Sequence, residues 1–110
     1  MLYTYKAIVT KVYDGDTITV NIDLGLKTWI YGEKLRLYGI NAPEVRGMER
    51  ESGLLARDWL REQILDKEVV IETIKDRKGK YGRYLARVSL DGRDIIAEMV
   101  QAGYAEWRNY

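Results

Sequence analysis

Residues 18–24 alternate strictly, with Ile18, Val20, Ile22 and Leu24 on one face and Thr19, Asn21 and Asp23 on the other. A period of two belongs to a strand with one face buried and one wet. Directly before it stands Asp14-Gly15-Asp16-Thr17, and before that a run over residues 3–12 rich in Tyr, Thr, Val and Ile. Asp-Gly between two such runs signals a hairpin, because glycine accepts positive φ. The chain is therefore expected to open as an antiparallel ribbon.

A turn and a short extended piece over residues 25–32 lead to a third strand over 34–40. There Leu35, Leu37 and Gly39 point one way and Arg36, Tyr38 and Ile40 the other. Pro43 stops the alternation, since it cannot donate to a ladder and holds Ala42 extended. A polar loop over 45–50 precedes an amphipathic helix over 51–66, whose apolar stripe is Leu55, Ala56, Trp59, Leu60 and Ile64. Ser52 or a residue just before it is the expected cap, and Gly53 weakens the first turn. Strands over 67–75 and 83–90 flank a loop over 76–82. A last helix over 94–102 stops at Gly103, and an aromatic tail follows. Three strands, a helix, two strands and a helix predict an α+β, mainly β chain. The expected form is a five-stranded OB-fold barrel, as one domain over 1–110, with a split α+β sandwich as the rival.

Composition narrows the chemistry. The chain has 110 residues, 46% of them hydrophobic, and a net charge of +1. That size fits one modest core. It has no Cys and no His. Disulfides, thiolate nucleophiles, histidine bases and the usual zinc sites are thereby excluded. Catalysis falls to Asp, Glu, Lys, Arg or Tyr, and a protein-bound metal is expected to be a hard cation on oxygen ligands. No segment reaches the roughly 18 apolar residues of a membrane span. The first residues lack the pattern of a signal peptide. A soluble monomer, cytoplasmic or a processed secreted form, without membrane contact, is expected.

Three polar groups stand at strand ends. Asp14-Gly15-Asp16-Thr17 is either a plain hairpin or a turn that presents Asp16 as a ligand. Arg36 lies between apolar neighbours with Asn41 and Glu44 downstream. It needs a carboxylate or phosphate partner, and a structural salt bridge would satisfy it equally. Residues 75–83 carry five cations against one anion, which is either a solvated loop or a phosphate footprint with Tyr81 to stack on a base. Together these supply charge neutralisation and a carboxylate base, the requirements of phosphodiester hydrolysis.

The set Asp14-Gly15-Asp16-Thr17, Arg36 to Glu44 and Tyr81-Gly82-Arg83 resembles the staphylococcal nuclease (thermonuclease) family. Residues 97–105 resemble that family's second helix and its exit. The resemblance implies an OB-fold barrel and a calcium-dependent nuclease acting on DNA, RNA or both. It implies that Asp16, Asn41 and the Ala42 carbonyl hold calcium and that Arg36 and Arg83 bind phosphate. It also implies that Glu44 is the general base and that Lys80 and Tyr81 line the nucleotide site. Cleavage is expected at the 5′ P–O bond, leaving 3′-phosphates.

One position departs. The family pattern has Asp where this chain has Asn41. Its amide oxygen can ligate calcium but carries no charge, so calcium binding is expected to be weak without substrate phosphate. The family's last helix has no counterpart before Tyr110, so the helix over 51–66 and the tail are expected to cover the barrel. The functional alternative is a non-catalytic OB-fold nucleic-acid-binding module, which would be expected to lose Arg36, Glu44 or Arg83. A restriction-type site fails on spacing, because Glu72 and Lys75 fall on opposite faces of a strand.

Overall fold

The computed structural model describes residues 3–74 and 83–108. Strand β1 (Tyr3–Asp14) turns at Gly15-Asp16 into β2 (Thr17–Asp23), pairing Val12 with Ile18 and Asp14 with Thr17. Beside β2 runs β3 (Trp29–Leu37), antiparallel, with Thr17 opposite Arg36. On its other edge β1 pairs with β5 (Glu68–Thr73), and β5 pairs with β6 (Tyr84–Leu90). A short parallel ladder, Leu35 to Leu37 against Tyr84 to Ala86, joins β3 to β6. These five strands form a closed barrel. It is the expected OB-fold architecture.

The register of β1 against β2 shifts between Val9 and Lys11 and again between Val12 and Asp14. Such bulges bend a strand and raise its twist. Val9, Ile18, Val20, Leu35, Leu37 and Ile71 fill the interior. Helix α1 (Arg50–Ile64) adds Ala56, Leu60 and Ile64 to it. Helix α2 (Ile95–Gln101) adds Ile95, Ile96 and Met99. After α1 the chain is tied to β1 by two backbone bonds, Asp66 N–H to the Val9 carbonyl and Val9 N–H to the Lys67 carbonyl. No helix among the described residues is long and apolar enough to cross a membrane.

Several local expectations change. β3 begins at Trp29 and ends at Leu37, five residues earlier and three residues earlier than 34–40. Gly39 then takes a φ of +83°, which breaks the alternation and turns Ile40 into the core. Ile40–Asn41 form a separate strand, β4, which pairs with β8 (Glu106–Trp107). The tail over 104–108 is thus partly sheet. β7 (Arg93–Asp94) adds a short rung to β6. Leu24 lies beyond the end of β2 and is exposed, and Leu55 lies on the wet side of α1. α1 starts at Arg50 with no side-chain cap, whereas Asp94 caps α2 by accepting from Ala97 N–H at 3.1 Å. Gly103 stops α2 as expected, with a φ of +85°.

Candidate active site at the barrel mouth

The hairpin tip is held inward. A Cβ on Gly15 would stand 2.6 Å from Ala42 Cβ and 3.1 Å from both Ala56 Cβ and Met99 Cε. Gly15 is therefore required for space between β4 and the two helices, and not for positive φ as the turn signal suggested. This contact sets Asp16 beside the segment 41–44. Its Oδ2 accepts from Ala42 N–H at 3.0 Å, and its carbonyl accepts from Leu37 N–H at 2.8 Å.

Arg36 has its partner. Its Nη1 lies 3.4 Å from Asp16 Oδ2 and donates to the Leu37 carbonyl at 3.1 Å. Its Nη2 donates to Asn41 Oδ1 at 2.9 Å. Side-chain exposure is 11% for Arg36 and 12% for Asp16, so this is a desolvated pair. The salt bridge and the site reading of Arg36 are compatible, because the partner is itself a candidate metal ligand. Arg83 Nη1 donates to Thr17 Oγ1 at 2.9 Å, which draws it toward the same hairpin end.

Glu44 is placed by the first turn of α1. A Cβ on Gly53 would fall 1.9 Å from the Glu44 carbonyl oxygen. Helix and loop touch backbone to backbone there, which explains a glycine that costs helix stability.

These groups line one open cleft of about 560 Å³. Asp14, Asp16, Arg36, Asn41, Ala42, Glu44 and Arg83 share it. Lys80, Tyr81 and the rest of the basic stretch 75–82 lie outside the described residues. Asp14 and Arg108 are among the lining groups not foreseen as site residues. Asp14 Oδ1 accepts from Asp16 N–H at 3.0 Å. Burial, and then the neighbouring Asp16 carboxylate, push its carboxyl up to about 6. Arg108, in the tail, donates from Nη1 to Asn41 Oδ1 at 3.3 Å, and its N–H bonds the Gly39 carbonyl at 2.7 Å. Nothing periodic marks it, since two paired residues make no pattern.

Oxygen donors converge at Asp14, Asp16 and Asn41, the chemistry of a hard cation. The charge crowding that raises Asp14 is what a cation at Asp16 would relieve. No group of three Asp, Glu, His or Cys side chains able to hold a metal occurs among the described residues. Asn41 Oδ1 already faces two guanidinium groups. Asp16 and Asn41 thus offer the oxygen chemistry a hard cation takes, with the Asn41 oxygen engaged by Arg36 and Arg108.

The family described as staphylococcal nuclease homologue matches residues 34–110. A thermonuclease of Staphylococcus hyicus is 32% identical over 110 residues, covering 97% of this chain and 60% of that protein. Endonuclease YhcR of Bacillus subtilis is 30% identical over 112 residues, 92% of this chain but 9% of its own length. An uncharacterised protein of Methanocaldococcus jannaschii is 28% identical over 92% of this chain and 58% of its own. The chain thus spans about 60% of the thermonuclease. With a closed five-stranded barrel, two helices and a family match over most of its length, the chain belongs to the staphylococcal nuclease family.

Proposed function

We propose that the chain is a calcium-dependent nuclease that hydrolyses phosphodiester bonds of DNA, RNA or both. The observation that carries the reading is convergence. Arg36, Glu44 and Arg83, from three separate segments of the chain, line one cleft with Asp16 and Asn41. The family and the thermonuclease and endonuclease names of the relatives support it.

Arg36 and Arg83 bind the scissile phosphate and neutralise charge that grows on its oxygens in the transition state. Arg108 supplies a third guanidinium from the cleft wall. Glu44 holds the attacking water and takes its proton as the oxygen bonds to phosphorus. The 5′ P–O bond breaks, the 5′ oxygen leaves and takes a proton from solvent, and a 3′-phosphate remains. Asp16, Asn41 and the Ala42 carbonyl are the proposed calcium ligands, and calcium when bound supplies further positive charge at the phosphate. Lys80 and Tyr81 are the proposed nucleotide contacts.

Cleavage of single-stranded DNA, double-stranded DNA and RNA, with calcium, magnesium or chelator, tests this directly. Calcium-dependent cleavage is expected. Binding without cleavage under every condition would favour the non-catalytic module.

A further inference from the structure

Beside this cleft lies a second groove of about 630 Å³. Asp14, Glu44 and Arg83 line both, so the two meet along one ridge. Its wall is the outward face of the first three strands. Register sets Lys11 opposite Thr19 and Thr19 opposite Lys34, in one row across β1, β2 and β3. Two strand spacings separate the lysine backbones by roughly 10 Å. Both lysines are exposed, as is Arg46 beside them. Tyr13, next outward-facing residue along β1, is 47% exposed. Among the described residues, the acids lining the groove are Asp14 and Glu44, both on the shared ridge, and the described charged groups away from it, Lys11, Lys34 and Arg46, are all positive.

Such a row of cations beside an exposed aromatic ring suits a phosphodiester backbone with an unpaired base to stack. We propose that this groove is a second arm of the substrate cleft. It takes a single nucleic-acid strand on the side of the scissile phosphate away from Arg108. Lys11 and Lys34 contact phosphates, and Tyr13 stacks on a base. This rests on the nuclease reading and extends it, because a strand held on both sides of Glu44 is cut at internal bonds.

The test is binding of a fluorescent oligothymidylate, followed by anisotropy in chelator so that cleavage does not enter. Salt is varied from about 50 to 200 mM. The Lys11→Gln/Lys34→Gln protein should bind at least about tenfold more weakly at low salt, with a salt slope smaller by about 1.4. A charge-matched control, Lys6→Gln/Lys67→Gln, should keep the wild-type slope. Tyr13→Ala should lose about tenfold in affinity with the slope unchanged. A wild-type slope in Lys11→Gln/Lys34→Gln, or an equal drop in the control, would overturn the groove. So would failure of the wild type to bind the strand, or tighter binding of a duplex. If binding depends on the lysines but calcium brings no cleavage, the groove stands and the nuclease reading falls. Cleavage with lysine-independent binding gives the reverse.

Discussion

Arg36 shows how one residue ties the fold to the candidate site. Its guanidinium joins β3 to the hairpin through Asp16 and to β4 through Asn41. Removing one member of a desolvated pair typically costs about 3–5 kcal/mol, so Arg36→Ala would unfold the site along with the chemistry. Arg108 separates the two effects, because its side chain is exposed. Arg108→Ala should lower kcat/KM about tenfold or more, the worth of one charge-assisted hydrogen bond, and leave the melting temperature within a degree or two. Unchanged kcat/KM on an oligonucleotide would remove Arg108 from the phosphate site. Asn41 is the residue where charge was legible in the sequence and occupancy was not. A neutral amide predicts weak calcium binding, but only the structure places two guanidinium groups on its oxygen. Asn41→Asp should bind calcium more tightly in the absence of nucleotide, and calorimetry with and without a nucleoside bisphosphate reads it. Equal calcium affinities for the two proteins without nucleotide would refute this.

At the scale of elements, the two glycines that pin the site were visible in the sequence for the wrong reasons. Gly15 reads as a turn residue and Gly53 as a weak first helical turn. Neither signal reports a tertiary contact, because what each glycine touches lies more than five residues away in sequence. An alanine at Gly15 would drive into Ala42 and the helices. Gly15→Ala is expected to cost about 1–3 kcal/mol by overpacking, measured by urea unfolding. Gly53→Ala has a sharper signature. In an exposed helix this change stabilises by roughly 1 kcal/mol. Here it should destabilise and displace Glu44, so turnover falls more than nucleotide binding. A stabilised Gly53→Ala protein with full activity would break the link between α1 and the proposed role of Glu44. β4 and β8 show the opposite limit: two residues of pairing leave no trace in periodicity, and so the tail's role in the cleft wall was hidden.

For the whole molecule, the five long strands and the two helices were readable, because each carries its own apolar pattern. Closure was not readable. The parallel ladder between β3 and β6 joins residues about 50 apart in sequence, and no local pattern encodes it. That ladder nevertheless sets the site, since it brings Leu85 opposite Arg36, just beyond Arg83. The motifs were therefore legible as parts, while their meeting point was a property of the closed barrel. At this meeting point, Glu44 is the proposed base for phosphodiester hydrolysis. The most direct measurement compares wild type with Glu44→Gln for calcium-dependent cleavage and nucleotide binding on the same preparation. Turnover should fall roughly 10²–10⁴-fold while the nucleotide dissociation constant stays within about threefold. Full calcium-dependent turnover in Glu44→Gln would rule out Glu44 as the base.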